Sequence, residues 1–294
     1  MSEHAERFTH LRPLLFTIAY EILGSATESD DVLQDSYLRW AEVDLADVRD
    51  TKSYLAQLVT RQALNTLRAG ARRREDYIGP WLPEPVLLEP GPESDIVLAE
   101  SVSMAMLVVL ETLGPDERAV FVLREVFGFE YDEIAGAVGK SAAAVRQVAH
   151  RAREHVQARR KRFEPDAAKS AEVTGQFLAA AATGDLDGLM ALLAPNATWT
   201  ADSDGKVSAA RRPVVGADKV ARVIIGIMSA GLKLPEVKVE TAVYNSLPAV
   251  VIYSGDKLEG VFLVEVIDGR VTNLYAMRNP EKLLSAKVRR EISR

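Results

Sequence analysis

Basic and amide side chains that could contact nucleic acid are concentrated in two blocks of the chain. Residues 61–74 contain five arginines and no acidic residue, and residues 140–162 contain eight basic residues and one acidic residue. Lys and Arg neutralise phosphates and release their counterions, and Arg, Asn and Gln also pair with base edges. A single run of charge is more often a solvated helix face, but two such blocks indicate DNA contact at two places.

An acidic block precedes the first basic block and requires a different partner. Residues 28–50 contain eight acidic and two basic residues, which would repel DNA. A basic protein surface is the complementary partner for such a block. The whole chain carries a net charge of −6, so the basic blocks are local features and not part of a uniformly basic coat.

Other chemistries lack the residues that they need. The chain has no cysteine, which excludes disulfides, thiolate metal sites and cysteine nucleophiles. Gly139–Ser141 ends like a phosphate-binding loop, but that motif needs a glycine where Ile134 stands. His150 and His155 are five positions apart, a poor spacing for a metal pair, so no metal or cofactor is expected. No membrane-spanning run or signal-peptide pattern is found, and we expect a cytoplasmic protein with no membrane partner.

The acidic block and the first basic block lie on predicted helices of one module, residues 1–76. Gly24 ends the first helix, Ser29 or Asp30 is expected to cap the second, and the third begins at Ser53. Opposite its apolar face, the second helix presents Asp31, Gln34, Asp35 and Leu38. Off its apolar stripe, the third helix carries Arg61, Gln62, Asn65, Arg68, Arg72 and Arg73.

The second basic block belongs to a helix-turn-helix pattern within residues 96–163. A helix over Pro115–Phe127 and a short helix over Tyr131–Val138 precede a turn at Gly139, and Ser141 caps a long third helix. Small residues at the start of that helix can enter the major groove, and basic residues behind them can bind phosphates. The residues predicted to contact DNA are Ser141, Ala143, Arg146, Gln147, His150, Arg151 and Arg153.

A proline-rich linker, residues 77–95, joins the two modules. Five of the thirteen prolines lie between Pro80 and Pro92, and proline fixes φ and is excluded from helix interiors. A merely flexible linker would be polar and rich in glycine and serine, whereas this one contains Trp81, Leu82 and Val86. The pattern predicts a stiff segment that docks on another part of the protein.

The remaining chain comprises residues 168–284 and a basic tail at 285–294. Helices come first, with Asp185 as the expected cap of the second, and alternating apolar runs then predict antiparallel strands with a hairpin turn at Asp268–Gly269. This order indicates an α+β domain. No His or Cys lies beyond His155, so histidine-based catalysis is excluded there. The remaining acid–base types are usual in turns and packing, and no enzyme is predicted from Asp202, Asp204, Tyr244, Tyr253 and Tyr275.

Three stretches carry a family resemblance: DDVLQDSYLRW, SYLAQLVTRQALNTLR and LGPDERAVFVLREVFGFEYDEIAGAVGKSAAAVRQVAHRARE. They resemble the extracytoplasmic-function (ECF) sigma factors of bacterial RNA polymerase. The resemblance implies that the second helix binds the core polymerase through Asp31, Gln34, Asp35, Leu38 and Arg39. It implies that the third helix reads the minus-ten promoter element, with either Gln62 or Asn65 at the family's base-contacting Asn, and that the helix from Ser141 reads the minus-thirty-five element.

A subgroup resemblance covers the linker and the C-terminal extension. YIGPWLPEP, DSDGK at Asp202–Lys206 and NPEKL at Asn279–Leu283 are similar to the linker, the DGGGK motif and the NPDKL motif of ECF factors with a fused SnoaL-like domain. This implies a cone-shaped α+β fold of the SnoaL/NTF-like type, enclosing a pocket. The contact between linker and domain is expected to involve Trp81, Leu82, Pro83, Glu84, Pro85, Asp202, Asp204, Gly205, Lys206, Asn279, Pro280 and Lys282.

The expected protein is therefore an alternative sigma factor with two all-α DNA-binding modules and a C-terminal α+β domain. Its partners would be core RNA polymerase and promoter DNA. The C-terminal domain would regulate it in cis, so that no separate anti-sigma factor is required. One alternative is a ligand-sensing or enzymatic SnoaL-like domain fused to a DNA-binding regulator, with a small molecule in the pocket. Another is a two-module repressor that binds a palindromic operator without polymerase, against which the acidic block argues.

Overall fold

A computed structural model describes residues 2–89, 95–159, 167–231 and 233–294. The chain forms two compact units. The helical unit comprises Met1–Glu75, Leu88–Arg160 and Arg289–Arg294, and the C-terminal unit comprises Asp76–Leu87 and Lys161–Val288. Both predicted DNA-binding modules lie in one unit, whereas Asp76–Leu87 of the linker folds with the C-terminal unit. In the described part of the chain, no helix has both the length and the apolar character needed to cross a bilayer.

Local caps define the first helices of the helical unit. The first helix ends at Gly24, which has φ of 70° and donates its N–H to Tyr20 O at 2.7 Å, as predicted. The predicted cap of the second helix at Ser29 or Asp30 is wrong: Ser25 is the cap, and its hydroxyl accepts from the Glu28 N–H at 3.1 Å. The helices described in this unit are α1 (Glu3–Leu23), α2 (Ala26–Trp40), α3 (Thr51–Glu75), α4 (Ile96–Ser101), α5 (Met104–Leu110), α6 (Pro115–Phe121), α7 (Tyr131–Val138) and α8 (Ala142–Arg159).

The predicted helix Pro115–Phe127 is not a single α-helix. After α6, residues Val122–Val126 form a π-helical turn, and the Phe129 N–H then donates to Leu123 O at 3.0 Å. The predicted α7 is confirmed at both ends, and Gly139 follows it with φ of 69°. The Ser141 hydroxyl accepts from the Ala144 N–H at 3.3 Å at the start of α8.

The C-terminal unit packs helices on one face of a mixed sheet. Its elements are β1 (Leu87–Leu88), where the chain passes between the units, α9 (Ala167–Thr183), α10 (Leu186–Leu192), β2 (Leu193–Asp202), β3 (Val214–Val215), α11 (Ala217–Gly231), β4 (Val237–Tyr244), β5 (Leu247–Ser254), β6 (Lys257–Ile267) and β7 (Arg270–Met277). The strand order is β3-β2-β7-β6-β5-β4-β1. A last short strand, β8 (Arg289–Arg290), belongs to the helical unit.

The expectation of a purely antiparallel sheet is wrong at one pairing. β2 pairs with β7 in parallel, and its register shifts between Leu193 and Thr198. Pro195 and Asn196 lie in this irregular part, and both residue types are rare inside strands, which hides β2 from a sequence pattern. The cap at Asp185 is confirmed, and so is the hairpin at Asp268 and Gly269, where φ is 52° and 70°.

Candidate functional site

The acidic face of α2 is exposed in the helical unit. Trp40 on the opposite face is fully buried, and its indole N–H donates to the His4 carbonyl at 2.9 Å, which fixes α2 on α1. Leu38 is 59% exposed, an unusual position for a large apolar side chain and one that suits a docking surface. The other residues predicted to bind polymerase are also exposed: Asp31, Gln34, Asp35 and Arg39.

The basic tail lies beside this acidic helix. The Arg290 guanidinium is 2.6 Å from the Asp30 carboxylate and 4.8 Å from the centre of the Phe16 ring, and Arg12 also pairs with Asp30 at 3.2 Å. The Ser293 N–H donates to the Thr17 hydroxyl at 3.3 Å. The sequence predicted a basic tail but gave no signal for its place on α1 and α2.

The predicted minus-ten reader, α3, is engaged by the second module. The Arg61 guanidinium donates to the Gly136 carbonyl at 2.8 Å, and Arg68 donates to Asp116 at 2.6 Å. Near the start of α3, the Ser53 hydroxyl donates to Glu133 at 2.5 Å. A carbonyl oxygen of α7 and a carboxylate oxygen of α6 thus bind the two arginines that were predicted to contact DNA.

The other α3 candidates differ in their surroundings. Asn65 is exposed, whereas the Gln62 amide, in its favoured orientation, accepts from Arg39 at 3.1–3.2 Å. This contact leaves Asn65 as the more accessible of the two candidates for base contact. The side chains of Arg72 and Arg73 lie outside the described part of the structure.

Asp116 joins basic residues of both modules. It accepts from Arg68 on α3 and lies 2.9 Å from the Lys140 ammonium at the helix-turn-helix turn. Partial burial would raise the pKa of Asp116, but the hydrogen bonds from Lys140 and Arg68 outweigh burial and hold its pKa below the ordinary value. The carboxylate is therefore ionised at neutral pH and neutralises two cations that could otherwise bind phosphates.

Replacing Asp116 by Ala is expected to increase the DNA affinity of the free protein. The freed Arg68 and Lys140 should make the slope of log K against log salt more negative by about 1–2, while stability should change by less than about 1 kcal/mol. Fluorescence anisotropy with a random-sequence duplex over a KCl series measures the slope. Asp132→Ala removes the same charge from an exposed position on α7 and should change the slope little. Equal slopes for the two variants would contradict the role given to Asp116.

A buried polar network lies beneath this contact and was not predicted. Arg118, 1% exposed, donates to the Glu21 backbone carbonyl at 2.7 Å and to the Glu111 carboxylate at 2.6 Å. Arg74 of α3 also donates to Glu111, and the Ser101 hydroxyl donates to the Glu21 carboxyl at 2.6 Å. These bonds connect α1 and α3 to α4, α5 and α6.

The predicted minus-thirty-five reader, α8, is open in the helical unit. The exposed candidates are Ser141, Ala143, Arg146, Gln147, His150 and Arg151. Arg153 is half-buried and pairs with Glu125 at 2.6 Å, so it serves the packing of the module. The apolar face of α8 is buried and includes Val145, Val148 and Ala152.

In the C-terminal unit, the linker is bound at one buried carboxylate. Asp202, at the end of β2, is fully buried; it accepts from the Leu82 N–H at 2.7 Å and from the Tyr77 hydroxyl. Lys282 lies 2.8 Å from the same carboxylate and donates to the Leu82 carbonyl at 2.6 Å. The Asn279 amide donates to the Tyr77 hydroxyl at 2.8 Å. These five residues are termed the linker clamp.

Aromatic residues complete the linker clamp. The Lys282 ammonium is 3.3 Å from the centre of the Trp81 ring, and the Tyr77 and Trp81 rings meet edge-on with centroids 4.7 Å apart. Burial raises the pKa of the Tyr77 hydroxyl, and the Asp202 carboxylate beside it raises the pKa further. Tyr77 therefore remains a neutral donor, and the charge of Asp202 is balanced by Lys282.

Further contacts continue along the linker. Val86 and Asn245 exchange two hydrogen bonds, at 2.9 and 3.1 Å, and Leu87 then pairs with Tyr244 as a short strand. The Ser285 hydroxyl donates to Glu84 at 2.9 Å. Pro83 and Pro85 are buried within this segment. The sequence analysis did not predict Tyr77, Asn245 or Ser285 as contact residues. Asn245 and Ser285 lie in no recognisable motif, whereas Tyr77 is the first residue of the linker pattern.

The remaining motif residues occupy the rim of the linker clamp. Asp204 accepts from the Ile78 N–H at 3.2 Å, and Lys206 lies 3.0 Å from Asp204 and 2.6 Å from Glu281. Gly205 has φ of 66°, and a Cβ there would lie 3.2 Å from the Ile78 side chain, so a larger residue would be strained and would press on the linker. Pro280 is exposed.

The acid–base candidates of the C-terminal unit do not converge on one site. Asp202 is occupied by the linker, and the Tyr244 hydroxyl donates to the Ala286 carbonyl at 2.9 Å. Burial, followed by the neighbouring Glu265, raises the pKa of Tyr275, which keeps that phenol protonated. Among the described residues, no group of three or more acidic or His side chains could hold a metal ion.

Two protein-family models match segments of the helical unit. The sigma-70 region 2 model matches residues 7–73, and the sigma-70 region 4 model matches residues 103–156. The first match covers α2 and nearly all of α3, and the second covers α6, α7 and most of α8. The two matches define a sigma-70-type transcription initiation factor.

Full-length relatives narrow this class. The chain is 38% identical over 295 residues to the ECF RNA polymerase sigma factor SigJ of Mycobacterium tuberculosis H37Rv, covering 96% of this chain and 94% of SigJ. It is 30% identical over 275 residues to the probable ECF sigma factor SigI of M. tuberculosis CDC 1551, covering 92% of each. The crystal structure of M. tuberculosis SigJ matches with a TM-score of 0.76 at 33% identity, covering 96% of this chain and 99% of that one. The chain belongs to the ECF family of RNA polymerase sigma factors, which direct transcription initiation.

Proposed function

We propose that the C-terminal unit regulates this sigma factor in cis by holding the linker between its two DNA-reading modules. Asp202 carries the proposal, since this fully buried carboxylate binds two linker residues and is neutralised by Lys282. A linker that is fixed on another unit restricts the spacing of the modules that it joins. Its prolines lower the entropy cost of docking, and the covalent tether supplies a high effective concentration.

The helical unit supports an order of events. The polymerase-binding candidates on α2 are exposed, whereas Arg61 and Arg68 on α3 are bonded to α6 and α7. We infer that the free chain docks on core polymerase first and that α3 reads the minus-ten element only after the second module has left it. The tethered domain then takes the part of a separate anti-sigma protein.

Reconstituted transcription tests the proposal. Full-length protein, a chain ending at Asn279 and a chain ending at Val288 are compared with core polymerase on promoters that the full-length holoenzyme selects from a random library. The Val288 chain keeps Lys282 and Ser285 and lacks only Arg289–Arg294, so it is the matched control for the linker clamp. Loss of Lys282 in the Asn279 chain is expected to raise initiation several-fold over the Val288 chain, because the linker is released.

Each outcome of this experiment has a definite meaning. Equal initiation by the two shortened chains would overturn regulation through the linker clamp. Operator binding by the protein alone, with no initiation by any version, would instead favour the repressor.

We propose no catalytic role for the C-terminal unit. Asp202 already accepts hydrogen bonds from Tyr77, Leu82 and Lys282, and the Tyr244 and Tyr275 hydroxyls donate to Ala286 and Glu265, so these three side chains are engaged within the protein. A cavity inside the C-terminal unit favours the ligand-sensing alternative.

A further inference from the structure

An apolar chamber lies between the sheet and the helices of the C-terminal unit. It has a volume of about 50 Å³, and its described lining is entirely apolar. The lining includes the aromatic side chains of Phe177, Trp199 and Phe262. Apolar cavities of this kind exclude water and favour apolar occupants.

A larger chamber of about 330 Å³, termed the outer chamber, lies beside the first, which is termed the inner chamber. The two chambers share the lining side chains of Ile227, Ile252 and Phe262, which places the chambers next to each other. The outer chamber alone has the volume of a small-molecule site. Its polar lining is confined to a few residues: Ser208, Arg222, Glu259 and Arg278.

One cation of this lining is not neutralised. Arg222 pairs with Asp218 at 3.0 Å, and Glu259 pairs with Lys257 at 2.7 Å. Arg278 donates its Nε to the Glu259 carbonyl at 3.3 Å and has no carboxylate partner among the described residues. A half-buried guanidinium beside an apolar chamber is complementary to an anionic group on an apolar molecule.

We propose that the C-terminal unit binds an apolar small molecule bearing a single anionic group, with its body in the two chambers and its anion on Arg278. The proposed occupant is of the class of medium-chain fatty acids and aromatic carboxylates. A neutral molecule of the same shape would fill the chambers without using Arg278.

The cavity and the linker clamp share β2 and the segment that follows β7, and the ligand site deepens the proposed regulation in cis and rests on it for its biological meaning. Trp199 lines the inner chamber three residues before Asp202 on β2. The Arg278 N–H donates to the Asp202 carbonyl at 2.8 Å, and Asn279 follows directly. An anion bound to Arg278 would therefore lie next in sequence to Asn279, whose side-chain amide donates to the Tyr77 hydroxyl. Ligand binding would then shift the equilibrium between the docked and the released linker.

Competition on the full-length protein tests the site without polymerase. The fluorescent probe anilinonaphthalene sulfonate is bound first, and decanoate or decanol is then titrated. Decanoate is expected to displace the probe at a concentration about 10-fold lower than decanol. Arg278→Gln should remove that preference, whereas Arg222→Gln, a matched change at the neutralised arginine, should retain it. Ile227→Trp, which fills the junction of the chambers, should weaken both competitors.

Equal displacement by decanoate and decanol in the wild type would overturn the proposal, as would a preference unaffected by Arg278→Gln. Competition unchanged in the Ile227→Trp protein would place the binding elsewhere and would overturn it too. Because the assay contains no polymerase, its failure leaves regulation by the linker clamp standing. Equal transcription by the Asn279 and Val288 chains would remove that regulation and leave the ligand site intact.

Discussion

Asp202→Asn is expected to destabilise the C-terminal unit by about 3–5 kcal/mol and to release the linker, since it leaves a buried cation without its partner. Asp202 is fully buried, and the Lys282 side chain is 6% exposed. Asn keeps the size of the side chain but replaces one accepting oxygen with an NH₂ group, which would face donors. Urea unfolding followed by tryptophan fluorescence measures the stability. Chymotrypsin cleavage after Tyr77 or Trp81 measures linker release.

Two further variants isolate the role of the buried charge. Asp204→Asn changes the neighbouring acid, whose ion pair with Lys206 lies at the surface, and should cost less than about 1 kcal/mol. The double variant Asp202→Asn, Lys282→Met should be more stable than Asp202→Asn alone, because it removes the unpaired ammonium. A double variant no more stable than the single one would show that the hydrogen bonds to the linker, and not the ion pair, hold the clamp.

The sequence predicted which segments form the linker clamp, but it did not predict the hydrogen bonds between them. The Pro-rich linker with Trp81, the Asp202–Lys206 stretch and the Asn279–Leu283 stretch were expected to meet, and the structure brings them together. The bonding itself joins residues about 80 to 200 positions apart, as in Tyr77 with Asn279 and Leu82 with Lys282. Local patterns do not encode such partners, so Asn245 and Ser285 gave no signal.

In the helical unit, too, features set by neighbouring residues were predicted, and contacts between residues far apart in the sequence were not. Helix periodicity and capping residues predicted α1, α3, α7 and α8, because those signals act within one or two turns. Residue type alone assigned Arg61 and Arg68 to DNA, and only the tertiary structure shows their bonds to Gly136 and Asp116. Glu21 lies next to Ile22 on a helix whose other buried residues are apolar except for Thr17 and Tyr20, so its burial could not be predicted from the sequence.

Glu21→Gln is expected to stabilise the helical unit near neutral pH. Burial raises the pKa of Glu21 to about 8, although the Ser101 hydrogen bond and the charge of Arg118 oppose this rise. In the unfolded chain the carboxyl ionises near its ordinary pKa of 4.5. Between these two values the unfolded state releases a proton that the folded state retains, so wild-type stability falls as pH rises from about 4.5 to 8. Gln reproduces the protonated carboxyl at every pH, and the gain at pH 7.5 is at most about 4 kcal/mol.

Urea unfolding of the two proteins at a series of pH values from 4.5 to 8.5 measures the difference. It should be near zero at pH 4.5, increase through neutrality and level off above pH 8. Comparing variant with wild type at each pH cancels the titration of the other carboxyls. Glu42→Gln, an exposed change in the same unit, should give a difference within about 0.5 kcal/mol at every pH. A Glu21→Gln difference independent of pH would mean that Glu21 is ionised in the folded protein, and that the network around Arg118 holds a charged carboxylate instead of a neutral acid.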